Sequence, residues 1–266
     1  MLRMTTNGNH QKTDLVVALD FAREDAAWAV VDALNGLDVV FKVGLELFSA
    51  AGPQFVRELV HRKKRVFLDL KLHDIPNTVA KASLQAAMMH VEMFTIHLAG
   101  GSAMIHAVRD TLAEIESLKP RILGVSVLTS FDDLRWAEVS RAVSGHSSDA
   151  HDAVVRLVDA FAGEGVDGIV CSAHELERIR DQYPTLYTVV PGIRPDQVVG
   201  DDQARTMTPA DAARAGASAI VVGRPITQSP QPRAVAERIL QDLAQVAAEL
   251  AAARTANGGK SIGTAP

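Results

Sequence analysis

With a single cysteine in 266 residues, the chain cannot form an intrachain disulfide. That residue, Cys171, closes the apolar run Gly168-Ile169-Val170. This is the setting of a small buried hydrophobe, and a reducing compartment suits it. Positive charge is not in excess. There are 27 Lys and Arg against 32 Asp and Glu, a formal net charge of −5, with the two signs interspersed. The clustered cationic face of a nucleic-acid-binding protein is missing, so no nucleic-acid partner is expected. No apolar run approaches the roughly 20 residues of a membrane span. Residues 1–13 are polar and lack the apolar core of a signal peptide. The expected setting is the cytoplasm without membrane contact, with residues 1–13 disordered or loosely attached. The nine histidines show no pair at ligand spacing with a third ligand: His146 and His151 lie in a polar stretch, and His97 and His106 flank Gly100-Gly101. No metal is expected. Gly259-Lys260-Ser261 resembles the end of a P-loop, but its first glycine would fall at Arg254 and no strand precedes it.

What the chain has is alternation. Short apolar runs at residues 15–19, 39–43, 66–68, 93–96, 121–127, 168–170, 186–190 and 219–222 read as strands. Helical spacing fits residues 24–34, 46–62 with a break at Gly52-Pro53, 76–90, 102–116, 151–164, 173–181 and 209–215. A last helix over 232–252 is expected to bury Val235, Ile239, Leu243, Val246 and Leu250. Residues between 127 and 149 read as a long polar loop, and the Gly/Ser/Thr-rich tail, 254–266, as disordered. Near-continuous apolar strands alternating with helices imply a parallel sheet covered by helices. About eight such units in one domain, residues 14–253, predict an α/β fold of the (β/α)8 TIM-barrel type. A doubly wound sheet is the alternative. Barrel chemistry sits at the C-terminal ends of the strands, which selects the residues to examine.

The densest such end is residues 66–78, Val-Phe-Leu-Asp-Leu-Lys-Leu-His-Asp-Ile-Pro-Asn-Thr. An apolar strand leads into Asp69, Lys71 and Asp74, and Pro76 suits a first helical turn. Asp69 and Lys71 are two apart, which on an extended chain puts them on one side. Asp20 ends the first strand and Lys42 lies near the end of the second. Neighbouring strands would bring Asp20, Lys42, Asp69 and Lys71 into an alternating array of acids and bases. Such an array can stabilise a developing carbanion and deliver a proton to it. A Schiff-base lysine is the rival reading; it needs a depressed pKa, which close carboxylates oppose.

Near the other end, Ala219-Ile220-Val221-Val222 runs into Gly223-Arg224-Pro225. Glycine lets backbone N–H groups approach a phosphate, a helix start adds favourable charge, and arginine pairs with phosphate oxygens. The preceding loop opens with Pro191-Gly192-Ile193-Arg194-Pro195 and continues polar through Gln203 to Met207. Its length suggests a lid.

Together these residues resemble the orotidine 5′-phosphate decarboxylase family in its shorter bacterial-type branch. The resemblance rests on Asp69-x-Lys71-x-x-Asp74-Ile75-Pro76-x-Thr78, Ala18-Leu19-Asp20, Phe41-Lys42-Val43-Gly44, Val127-Leu128-Thr129-Ser130, Pro191-Gly192-Ile193-Arg194-Pro195, Asp202-Gln203 and Val222-Gly223-Arg224-Pro225-Ile226. It implies a homodimeric barrel, without metal or organic cofactor, that converts orotidine 5′-phosphate to UMP. Lys71 would be the proton donor, Asp69 would oppose the substrate carboxylate, and Lys42 would orient Asp69 and contact the ribose. Asp20 would bind a ribose hydroxyl. Asp74 would complete the catalytic set and, with Thr78, reach the partner's site; the adjoining Ile75 would contact substrate. Thr129 and Ser130 would lie at the pyrimidine. Pro191, Arg194, Gln203, Gly223 and Arg224 would surround the phosphate. A related group, the metal-dependent sugar-phosphate decarboxylases and hexulose-phosphate synthases, is similar in its Asp-x-Lys-x-x-Asp core; that alternative would rest on Glu46 as metal ligand. A non-catalytic phosphate-binding barrel is the third reading.

Overall fold

A computed structural model describes residues 12–116, 119–195 and 207–258. Strand and helix alternate in the order β1 (Asp14–Ala18), α1 (Glu24–Ala33), β2 (Val40–Gly44), α2 (Leu45–His61), β3 (Arg65–Leu72), α3 (Pro76–Met88), β4 (Met93–His97) and α4 (Gly101–Ala113). There follow β5 (Arg121–Val125), α5 (Asp133–Ser144), α6 (Ala150–Phe161), β6 (Gly168–Val170), α7 (Ala173–Gln182), β7 (Tyr187–Val190), α8 (Pro209–Arg214), β8 (Ala219–Val222), α9 (Arg224–Thr227) and α10 (Pro232–Gly258). The eight strands pair in parallel with their sequence neighbours, and β8 pairs with β1 to close the barrel. The fold is the single-domain TIM barrel that the strand–helix alternation predicts.

Period-two alternation along the strands divides the core in two. Val16, Ala18, Val40, Phe67, Met93, Leu123, Tyr187, Val189, Ala219 and Val221 fill the barrel interior. The intervening residues, among them Leu15, Val17, Phe41, Leu68, Phe94 and Ile122, pack outward on the helices. Below the apolar interior layer lies an ionic floor built on Arg65, the first residue of β3. Its guanidinium donates to Glu92 at 2.7 and 2.8 Å, to Asp14 at 3.0 and 3.1 Å, and to Asp38 at 3.1 Å. Tyr187 Oη donates to Asp14 at 2.8 Å, and Arg121 lies over the Tyr187 ring, 4.6 Å from its centroid. The hydrogen bonds to Glu92, then the Asp14 carboxylate, hold the Arg65 proton more tightly than usual against the opposing effect of burial.

Three sequence expectations need correction. The segment after β5 is not a continuous loop, because α5 occupies its middle. The Asp132 side chain caps that helix by accepting from Arg135 N, and Gly145, at φ 77°, ends it. Its apolar Leu134 and Val143 are exposed, so it carries no core-facing stripe for periodicity to detect. Trp136 anchors it instead, edge-on to Phe131 and donating to Ser148 Oγ at 3.1 Å. Next, α10 runs on to Gly258 through the alanine-rich segment 251–253, where helix propensity is high. Leu250 on that helix is exposed rather than buried, whereas Ile239, Leu243 and Val246 are buried as expected and Val235 is half-buried. Residues 1–11 and 259–266 lie outside the described residues. The expected break in α2 is present at Gly52, which adopts φ 70° and ψ −174°.

Replacing Arg65 removes the ion-pair partner of Asp14 and leaves Glu92 with Arg121 alone, 3.1 Å away. The Arg65→Met variant should lose about 2 kcal/mol of stability, less than a fully buried pair would lose because the guanidinium is partly solvated. Urea unfolding monitored by circular dichroism measures this; an unchanged midpoint would show that the floor is not stabilising.

Candidate functional site

Above the apolar layer, the next inward positions of β1, β2 and β3 are charged. Lys42 Nζ donates to Asp20 Oδ1 at 3.0 Å and lies 3.8 Å from Asp69 Oδ2. Lys71 Nζ donates to the same Asp69 Oδ2 at 2.8 Å. The sequence Asp20–Lys42–Asp69–Lys71 is therefore one continuous chain of alternating charge across three neighbouring strands. The Asp69 and Lys42 side chains are only 11% and 12% exposed, while Asp20, at 60%, brings the chain out to solvent. Buried charges of this kind persist only when paired. Small backbone makes room for them. A Cβ on Gly44 would come within 3.2 Å of Lys42 Nζ and 3.5 Å of Asp20 Oδ1.

The way Asp69 and Lys71 meet differs from the expected extended alternation. Lys71 sits at φ 50°, the left-handed region, which a residue with a Cβ rarely adopts. Strand pairing explains it. Leu68 pairs with Phe94 and Leu72 with Ile96, so β3 advances four residues while β4 advances two. The extra residues bulge out of the ladder, and bulges re-aim side chains. Thr95, opposite the bulge, replaces the lost ladder contacts. Its hydroxyl accepts from Lys71 N at 2.9 Å and donates to Asp69 Oδ1 at 3.0 Å. Sequence reasoning missed Thr95. The signal available was alternation in Met93-Phe94-Thr95-Ile96-His97, which makes Thr95 the one hydroxyl facing inward from β4.

The remaining sequence candidates fall into three groups. Asp74, Ile75 and Thr78 are exposed at the start of α3, and Asp74 Oδ1 accepts from Ile75 N at 2.6 Å. Within the described residues they are not bonded to the four charges. Thr129 and Ser130 are exposed on the loop after β5, where Ser130 O accepts from Arg135 at 3.5 Å. The third group lies at the ends of β7 and β8. Gly192, at φ 78°, turns the chain after Pro191, and Arg194 is buried. Arg194 N donates to Met207 O at 3.0 Å, with a bridge between Ile193 and Met207. The two ends of the long loop are thus tied together; Gln203, between them, lies outside the described residues. Gly223 ends β8 and Arg224 opens α9, exposed. A Cβ on Gly223 would lie 3.8 Å from Asp20 Oδ2, so the prospective phosphate end adjoins the charged chain.

Among the described residues, no three His, Cys, Asp or Glu side chains gather as a metal site. Glu46, on which a metal-binding reading would rest, is exposed in the first turn of α2. No helix within the described residues is long and apolar enough to cross a membrane. Cys171 is buried, and desolvation followed by the nearby Glu175 charge raises its thiol pKa, so it is not a nucleophile.

Residues 13–239 match the model of the orotidine 5′-phosphate decarboxylase / HUMPS family. The chain is 44% identical over 230 residues to the orotidine 5′-phosphate decarboxylase of Legionella pneumophila (strain Corby), covering 86% of this chain and 98% of that one. It is also 44% identical, over 231 residues, to the enzyme of that name from Alkalilimnicola ehrlichii, covering 86% and 96%. The crystal structure of orotidine 5′-phosphate decarboxylase from Lactobacillus acidophilus superposes with a TM-score of 0.76 at 34% identity, over 87% of this chain and 99% of that one.

Two histidines stand beside the charged chain and report on it. The rings of His73 and His97 lie 5.2 Å apart. Burial, then the charges of His73 and Lys71, hold His97 below the usual histidine range against the opposing pull of Asp69. The unfolded chain takes up that proton more readily, so stability should fall as pH drops below about 6.5 and level off beneath the native value. An NMR titration should place the His97 midpoint below the ordinary value, and His73→Gln should raise it. A midpoint unmoved by that substitution would contradict the coupling.

Proposed function

Because the chain belongs to the orotidine 5′-phosphate decarboxylase family, we propose that it converts orotidine 5′-phosphate to UMP and carbon dioxide, the closing step of UMP biosynthesis. The observation that carries the reading is the unbroken Asp20–Lys42–Asp69–Lys71 chain at the C-terminal end of the barrel. In this reading Asp69 faces the substrate carboxylate. Repulsion between the two anions is relieved as the carbon–carboxylate bond breaks and neutral carbon dioxide leaves. The electron pair remains on the base carbon, where the Lys71 ammonium stabilises it and then supplies the proton. Lys71 recovers its proton from solvent. Lys42, held between Asp20 and Asp69, fixes the Asp69 carboxylate and contacts the ribose, and Asp20 accepts from a ribose hydroxyl.

Gly223, Arg224 and Arg194 bind the phosphate, with Pro191 shaping the loop and Gln203 contributing from it; Thr129 and Ser130 contact the pyrimidine. Energy from that distant phosphate supports assembly of the charged array, as expected when a non-reacting part of a substrate aids catalysis.

A homodimer completes the site in this reading. Asp74 and Thr78, exposed and unbonded to their own chain's array, reach the partner's. The exposed apolar Ile75 between them and Leu45 at the start of α2 supply contact surface.

Ultraviolet absorbance of orotidine 5′-phosphate tests the reading. The substrate signal should decay to that of UMP, equally with and without a chelator, and Lys71→Ala should slow it by about a thousandfold or more. Loss of activity with chelator would favour the metal-dependent alternative resting on Glu46. Binding of UMP without turnover would favour a non-catalytic barrel. For the shared site, Lys71→Ala and Asp74→Ala homodimers should both be nearly inactive. Mixed dimers should regain activity through one intact site. No recovery despite verified subunit exchange would refute it.

A further inference from the structure

We infer that Thr95 is a positioning residue for the reaction: its hydroxyl sets the geometry of the Asp69–Lys71 pair. The inference rests on the reading of that pair as the reacting groups. It starts from the two hydrogen bonds of Thr95 Oγ1, at 2.9 Å from Lys71 N and 3.0 Å to Asp69 Oδ1. A backbone N–H only donates, and an ionised carboxylate only accepts. The hydroxyl therefore accepts from Lys71 and commits its single proton to Asp69, with no alternative arrangement. Thr95 is fully buried, and its branched side chain has restricted χ1 freedom, so the oxygen is held by β4 rather than by its partners.

Each bond answers a specific problem of the site. The bulge leaves the Lys71 N–H without a ladder acceptor on β4, and the positive φ of Lys71 is a conformation that the surroundings must impose. The bond to Thr95 imposes it and thereby aims the Lys71 side chain back at Asp69. On the carboxylate, Oδ2 faces both lysines, at 2.8 and 3.8 Å. These contacts alone would let the carboxylate rotate, carrying Oδ2 away from one lysine. The donor on Oδ1 pins the second oxygen and so fixes its plane. One hydroxyl thus orients both members of the pair without touching substrate. A core-filling role would require only the volume of the side chain; it would not require both hydrogen-bonding capacities to be spent on two charged residues.

Thr95→Val keeps the volume and removes the hydroxyl, and Thr95→Ser keeps the hydroxyl. Steady-state decarboxylation of orotidine 5′-phosphate and calorimetric binding of UMP are measured for both and for the wild type. Thr95→Val should lower kcat by about ten- to a hundredfold, the range for misplacing a reacting group. KM and UMP affinity should stay within about twofold, since the phosphate end is untouched. Thr95→Ser should restore most of kcat. A Thr95→Val enzyme with wild-type kcat would overturn the inference, as would a Thr95→Ser enzyme as slow as Thr95→Val. Should Thr95→Val not fold, Thr95→Ser against Thr95→Ala applies the same criterion. A wild-type chain inert towards orotidine 5′-phosphate would instead defeat the activity reading, and this inference with it.

Discussion

An ionised carboxylate almost withdrawn from water is the demand that the rest of this barrel answers. Asp69 has little solvent to stabilise it, so its oxygens take their partners from protein: a hydroxyl on one, two ammonium groups on the other. Each ammonium then needs its own balance. Lys42 finds it in Asp20, whose solvent exposure ends the series. Four charges sum to zero, yet the field inside the array is strong and directional because the groups alternate. Removing any one of them would leave an uncompensated neighbour, so the geometry behaves as a unit.

The same strands carry three kinds of layer. Along β3, Arg65 lies in the ionic floor, Phe67 in the apolar middle and Asp69 in the charged top. β1 repeats the pattern with Asp14, then Val16 and Ala18, then Asp20. Every step is two residues, the period of a strand. Polar groups at the two ends of the barrel serve different purposes. The lower set is saturated internally, with arginine satisfying several carboxylates. The upper set leaves Asp20 and Lys71 partly open. This is the division between stability at one face and chemistry at the other that barrels allow.

Much of this was legible in the sequence because it depends on local period and on strand adjacency. The barrel followed from repeated apolar runs, and the convergence of Asp20, Lys42, Asp69 and Lys71 from consecutive strands. What escaped depends on features without a local period. α5 turns Leu134 and Val143 to solvent and is held by its caps and by Trp136, so it has no core-facing stripe to reveal it. The bulge at Lys71 arises from unequal advance of β3 and β4, a property of two segments and not of either alone. Thr95 escaped for the same reason: a lone threonine in a strand becomes informative only once its opposite number is known. Leu250 shows the reverse error, where a regular apolar spacing extended past the end of the surface that needed covering.

The tie between Arg194 and Met207 sets the terms on which the neighbouring loop can evolve. The chain leaves the rim at Arg194 and rejoins it at Met207, 3.0 Å away. Because departure and return share one anchor, changes in length or sequence between them need not shift the register of β7 or β8. Closing a longer segment costs only slowly increasing entropy. The barrel can therefore hold its charged array constant while the sequence between those two anchors changes.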